Sequence, residues 1–280
     1  MQHLHRGHFL GKRYHNVGYN GSNDAVTAEK KQISSFLPNF LTLCGMCCGI
    51  TGIHMALNNK CSFALFAILM AAFFDGIDGR VARKLGAVSR FGAELDSLSD
   101  FATFGIAPAV IAYVFVLNRL GNMGWTIALL FAMSMALRLA RFNTNSINGV
   151  HQPWMAGLAT GVPAPAGAYM LLWPLMVGLW LNIGVDAFVF GGWAIFIAGL
   201  TISRLPTFLL KSKGNAVPQR FAAVSLLAVV AILGLAYSYT WFTLTLIGVL
   251  YLISIFFSIR LCRVEREKFF AEKNTKATLQ

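Results

Sequence analysis

The sequence predicts an all-α polytopic membrane protein of about eight transmembrane helices, with both termini in the cytoplasm. Three observations carry that prediction. The 280 residues are 56% hydrophobic and only 12% charged, with a mean hydropathy of +0.62, a balance that excludes an ordinary soluble domain. The apolar residues fall into runs of about 20, the length needed to cross a bilayer as a helix. The basic residues crowd onto alternate turns between those runs, as the positive-inside rule requires.

Residues 1–33 hold Gly, Asn, His and Lys without the continuous apolar core of a signal peptide, and read as a flexible basic cytoplasmic arm. His3, His5 and His8 on that arm have no fixed geometry and read as part of a tail rather than as a metal site. Spans follow near 36–57, 61–82, 96–118, 122–142, 157–180, 186–206, 221–239 and 241–261. Pro163, Pro165 and Pro174 interrupt the fifth, and Arg204 with Pro206 ends the sixth. Residues 34–210, which hold the first six spans, are expected to form a transmembrane core, 211–262 a C-terminal helix pair, and 263–280 a charged cytoplasmic tail.

With the N-terminus inside, all of the 23 Lys and Arg residues except Lys60 and Arg119 are cytoplasmic. The net charge of +12 is therefore mostly topology. The basic loops are too short for a nucleic-acid-binding domain, so no nucleic acid is expected as a partner, and membrane lipids with anionic head groups suit the charge instead. The five cysteines suggest neither a disulfide nor a zinc framework. Cys44, Cys47 and Cys48 sit within the first span, Cys61 and Cys262 are expected at opposite faces, and no histidines complete a ligand set.

Against this apolar background stand four aspartates within one short stretch. Asp75 and Asp78 close the second span, and Asp96 and Asp100 open the third. Carboxylates are costly near the hydrocarbon and persist there where a function offsets the cost. Each pair projects from one helical face, with members about 4.5 Å and about 6 Å apart along the axis. Brought together, the faces make an all-oxygen cage suited to a hard divalent cation such as Mg²⁺ or Mn²⁺. Gly79 and Gly92 leave room for a close approach by backbone or nucleotide, Ala82 continues that clearance, and Arg83 offers a planar fork for phosphate. Alone, each glycine would read as a helix-packing residue.

Asp75, Asp78, Gly79, Ala82, Arg83, Gly92, Asp96 and Asp100 fill the pattern D-x2-D-G-x2-A-R-x8-G-x3-D-x3-D at every position. That pattern resembles the signature of the CDP-alcohol phosphotransferases, membrane enzymes of phospholipid synthesis. The resemblance implies that Asp75, Asp78 and Asp96 are ligands of a divalent metal, two ions per active site. It implies that Asp100 is the general base and also touches metal, and that Gly79, Ala82, Arg83 and Gly92 bind the CDP-lipid. Asn39 and Thr42 either line the nucleotide pocket or cap the first span. Four further segments resemble the phosphatidylserine-forming bacterial branch of that family: Ser35 to Thr42, Asp96 to Ala109, Arg138 to Asn143 and Gly161 to Gly167.

This resemblance runs from about residue 35 to residue 180. It implies CDP-diacylglycerol and L-serine as substrates, a homodimer, and a bacterial inner-membrane location with the active site facing the cytoplasm. Arg138 and Arg141, one helical turn apart, either bind the serine carboxylate or anchor the span by their charge, and the adjacent Phe142 and Asn143 favour the first reading. A sister enzyme using glycerol 3-phosphate or choline is the near alternative. An ion-coupled transporter is the distant one, because intramembrane carboxylates also mark ion pathways.

Overall fold

The computed structural model describes residues 21–87, 89–147, 158–160, 162–203, 206–208, 239–255, 257 and 260. These residues are helical almost throughout. Helix α1 is Gly21–Leu57, α2 Cys61–Lys84 and α3 Arg90–Asp100. A π-helical segment, Phe101–Ile106, leads directly into α4, Ala107–Phe115. A 3₁₀ turn at Leu117–Leu120 precedes α5, Asn122–Ile147. Then come α6, Ala164–Leu181, α7, Ala187–Ile202, and α8, Thr240–Ile255. The exception to helix is a three-residue antiparallel pair, β1 (Leu158–Thr160) with β2 (Pro206–Phe208).

Five of these helical stretches are long and apolar enough to cross a membrane: Phe36–Leu57, Cys61–Lys84, Arg90–Phe115, Asn122–Thr144 and Ala164–Leu181. The helices α7 and α8 are apolar but shorter. The chain is an integral membrane protein. The expected seventh span, at 221–239, lies outside the described residues but for its last position.

Several boundaries differ from the sequence reading, each for a local reason. The first helix begins at Gly21, inside the stretch expected to be a loose arm; residues 1–20 lie outside the described residues. The third span begins at Arg90 rather than near 96, because Ser89 caps it there. The fifth begins at Ala164 rather than near 157. Pro163 is its N-cap and Pro165 lies in its first turn, where a missing N–H leaves nothing unpaired. These two prolines therefore start the helix, and Pro174 is the one inside it.

The turn between α2 and α3 decides how the aspartates meet. The Ala87 N–H bonds the Ala82 carbonyl at 2.9 Å, and the Gly86 N–H points to the Arg83 carbonyl at 3.4 Å. That is a Schellman closure, and it requires the left-handed φ of +60° that Gly86 adopts. Two residues on, the Ser89 hydroxyl accepts the Gly92 N–H at 3.0 Å and starts α3. The chain thus reverses within five residues, and the end of α2 faces the start of α3.

Phe104, Phe131, Ile111, Met135, Leu171 and Phe190 are fully enclosed at the centre. Large apolar side chains such as Phe63, Phe73, Phe188 and Leu250 point outward, as they do on a surface whose solvent is lipid. The short helix α8 is seated by polar and aromatic contacts together. The Tyr169 hydroxyl donates to the Leu244 carbonyl, and Trp173 Nε1 donates to the Thr245 carbonyl at 3.1 Å. The rings of Phe66 and Trp241 lie 5.3 Å apart, and those of Trp180 and Phe242 5.1 Å apart.

Candidate active site

Helices α1, α2 and α3 meet around a cleft of about 180 Å³, part of it open to solvent. Thr42, Gly45, Ala71, Asp75, Asp78, Asp96, Ser99, Asp100, Thr103 and Phe104 line it. All four aspartates singled out in the sequence reach it. One carboxylate oxygen from each of Asp75, Asp78 and Asp96 lies within 4.8 Å of the other two. Asp78 is buried, at 5% exposure, and Asp75 and Asp96 are half-buried. Asp100 stands beside this triad, its carboxyl close to that of Asp75.

Crowding of this kind is unfavourable unless positive charge enters. Four carboxylates share a small, partly dehydrated space where their mutual repulsion is poorly screened. Arg138 on α5 offsets part of it, close enough to attract both Asp100 and Asp75. The donor set is all oxygen, with no sulfur or imidazole in the cleft, so the residues present fit a hard divalent cation.

The neighbouring side chains hold the carboxylates in place. The Thr42 hydroxyl lies 2.7 Å from Asp78 Oδ2 and 3.1 Å from the Pro38 carbonyl. Thr42 sits well inside α1, so it does not cap the helix; it fixes a carboxylate. Ser99 is buried and donates to the Thr42 carbonyl at 3.2 Å, tying α3 to α1. Asn39 and Gly92 meet: a Cβ added to Gly92 would lie 3.1 Å from Asn39 Oδ1. A side chain at 92 would therefore crowd Asn39 and Ser89, which would have to give by a few tenths of an ångström.

Gly79 faces open space, and Arg83 is exposed with Nε bonded to the Gly79 carbonyl at 3.0 Å. Ala82 is half-buried on the same helix. The two arginines of α5 have different surroundings. Arg138 Nε donates to the Val162 carbonyl, while its charge lies within electrostatic range of the Asp75 and Asp100 carboxyls. Arg141 donates to the Ile202 carbonyl at 2.7 Å, satisfying an orphan acceptor at the C-terminus of α7.

Some cleft residues escaped the sequence reading. Ser99 and Thr103 occupy variable positions in or after the motif, and their one sequence-level signal is a hydroxyl on an apolar helix. Ser97 and Asn143 bond each other across α3 and α5, with Asn143 Nδ2 2.9 Å from Ser97 Oγ. Tyr251 of α8 also stands within electrostatic range of Arg138, its hydroxyl buried and without a hydrogen-bond partner among the described residues. Nothing in the sequence linked α8 to this cleft, because the pairing is purely tertiary.

Comparison with known proteins agrees with the motif. The family model for CDP-alcohol phosphatidyltransferase matches residues 35–204, which include α1 from its apolar part through α7 and all four aspartates. A CDP-diacylglycerol–serine O-phosphatidyltransferase of Mycobacterium bovis is 38% identical over 202 residues, 70% of this chain and 68% of that protein. A protein of the same name from Mycobacterium leprae is 39% identical over 190 residues, 67% of this chain and 62% of that protein. One from Methanocaldococcus jannaschii is 44% identical over 123 residues, 44% of this chain and 53% of that protein. On the match of its first seven helices to the family model, the chain belongs to the CDP-alcohol phosphatidyltransferase family.

Proposed function

We propose that this protein transfers the phosphatidyl group of CDP-diacylglycerol to the hydroxyl of L-serine, giving phosphatidylserine and CMP. The observation that carries the reaction class is the convergence of four aspartates in one cleft. The choice of serine is supported by relatives of that name across two thirds of the chain, and by the cation of Arg138 within electrostatic range of the carboxylates.

In this reading Asp75, Asp78 and Asp96 hold a divalent cation, Mg²⁺ or Mn²⁺, with Asp100 contributing to a second. Such cations, when bound, neutralise the diphosphate oxygens and make CMP a better leaving group. Asn39, Thr42, Gly79, Ala82, Arg83 and Gly92 receive the CDP moiety at the cleft mouth. Arg138, with Arg141 beside it, receives the serine carboxylate in a forked pair of hydrogen bonds. Asp100 takes the proton from the serine hydroxyl as its oxygen bonds to the lipid-linked phosphorus. The bond from that phosphorus to the bridging oxygen breaks, and CMP leaves with the electron pair. The cleft faces the cytoplasm from a bacterial inner membrane, so serine and CMP exchange with water while the acyl chains stay in lipid. A homodimer rests on the family resemblance.

An alcohol panel tests the assignment. Purified full-length protein is given CDP-diacylglycerol, Mg²⁺ or Mn²⁺, and serine, ethanolamine, choline or glycerol 3-phosphate in turn, with CMP and lipid product measured. Serine is expected to give phosphatidylserine, and ethanolamine, which lacks the carboxylate, to react poorly. If glycerol 3-phosphate outcompetes serine, the acceptor is wrong and the CDP-lipid chemistry stands. If CMP appears with no alcohol at all, or never, the transferase reading fails.

A further inference from the structure

One polar group in the cleft is left without a partner. Thr103 is 2% exposed, its Oγ1 is buried, and none of the described residues bonds to it. Most side-chain hydroxyls in a helix return to a backbone carbonyl one turn back, as those of Thr42, Ser97 and Thr201 do. Leaving a buried hydroxyl unpaired is unfavourable, and such a group calls for an explanation.

Its position suggests one. The helices α2 and α3 each pack on α1 and bring their aspartates to the same cleft from either side of the turn that joins them. Along the two helices Asp78 and Asp96 lie nearest the connecting turn, Asp75 and Asp100 about one turn further from it, and Ala71, Thr103 and Phe104 beyond them, in a lining shared with Gly45 of α1. Gly45, Ala71 and Phe104 offer no polar side-chain atom there. Thr103 is therefore the one hydroxyl in this group, one turn along the chain from Asp100.

The local backbone is built to put it there. Pro108 has no N–H for the Phe104 carbonyl, and its ring crowds the preceding turn. The helix widens instead: the Ala107 N–H reaches back five residues to the Ala102 carbonyl, and Phe101–Ile106 is π-helical. Such widened turns recur at functional sites. On the other side α1 presses close. A Cβ added to Gly49 would lie 2.9 Å from Thr103 Cα, Cγ2 and Oγ1, so Thr103 is held from behind.

We propose that Thr103 is a positioning residue for the cation site, its hydroxyl bonding an oxygen of the hydration shell of a divalent cation held by the aspartates. This rests on the metal reading above. The cleft is small, with room for water-sized ligands rather than for a nucleotide lipid. A hydroxyl both donates and accepts, so it can face a water bound to a cation or an oxygen anion near one. Through that bond it orients oxygen on the Asp100 side of the site.

The test is Mn²⁺ binding to the full-length protein in detergent, in the presence of CMP, for the wild type, Thr103→Val and Thr103→Ser. Thermal unfolding in chelator is measured in parallel. Thr103→Val keeps shape and removes only an unpartnered hydroxyl, so its Tm in chelator should equal or exceed that of the wild type. Its Mn²⁺ affinity should fall about 10-fold, the scale of losing an outer-shell partner, and Thr103→Ser should restore most of it. Thr103→Val binding Mn²⁺ as tightly as the wild type overturns the proposal while leaving the metal site intact. A wild type that binds no Mn²⁺ overturns the metal reading, and this proposal with it. Should Thr103→Val fold poorly, Thr103→Ser showing weakened binding with no rescue would also count against it.

Discussion

At the residue scale, the division of labour among the aspartates is testable because their surroundings differ. Asp78 is buried and fixed by Thr42, whereas Asp100 lies close to Asp75 and within electrostatic range of Arg138. As general base, Asp100 should be needed for turnover more than for binding. Asp100→Asn is expected to lower kcat by about 10²- to 10⁴-fold, with CDP-diacylglycerol binding kept better than in Asp75→Asn or Asp96→Asn. Near-normal kcat in Asp100→Asn would assign the proton to another group. The two arginines should also separate. Arg138→Lys keeps the charge but loses the fork, and should raise the serine KM more than the CDP-diacylglycerol KM. Arg141→Lys should act more on stability, since it weakens the bond to Ile202 at the end of α7. If both variants leave serine kinetics unchanged, the arginines are charge anchors. The four aspartates were legible in the sequence because charge in an apolar chain stands out. Thr103 and Ser99 were not, because a hydroxyl costs little in a helix until tertiary packing encloses it.

At the element scale, the site depends on one short turn. Gly86 and Ser89 set how α2 gives way to α3, and so set the separation of the two aspartate pairs. Gly86→Ala forces a side chain into the left-handed region and should cost about 1 kcal/mol of stability. Ser89→Ala loses the N-cap and should cost a similar amount, about 1 kcal/mol. Both should weaken Mn²⁺ binding more than a surface substitution of equal cost, such as one on the lipid-facing side of α7. Equal metal affinity in all three would mean that the aspartates find their places without the turn. The apolar runs made the helices legible, but not where they end. Caps decide that, and Ser89 and Pro163 each moved a boundary by about two turns or less. The π segment was hidden as well: Pro108 was visible, yet a proline inside an apolar run can kink, break or widen a helix, and only the packing against α1 and α5 selects among these. The seat of α8 on α6 was beyond reach for the same reason, since Tyr169 and Trp173 find backbone carbonyls that no sequence pattern marks.

At the scale of the whole molecule, charge and fold together orient the protein. Arg119 Nη1 bonds the Val185 carbonyl at 3.2 Å, which joins the turn before α5 to the turn before α7 at one end of the bundle. Lys60, at the start of α2, lies at that same end, because α2 runs from it towards the aspartates. The opposite end carries the cleft, with Arg80, Arg83, Lys84 and Arg90 around the α2–α3 turn and Arg138 and Arg141 on α5. Two basic residues stand against six, and positive charge is retained on the cytoplasmic side. The cleft end should therefore be cytoplasmic, which is also where serine is found and where CMP can be reused. A cysteine placed at Lys60 or Arg119, in a background with the native cysteines replaced, should react with a membrane-impermeant maleimide in intact spheroplasts. One placed at Arg80 or Arg90 should react only after the membrane is opened. The reverse pattern would put the aspartates outside, away from both water-soluble reactants, and would reject the cytoplasmic site even if the transfer reaction were demonstrated in detergent.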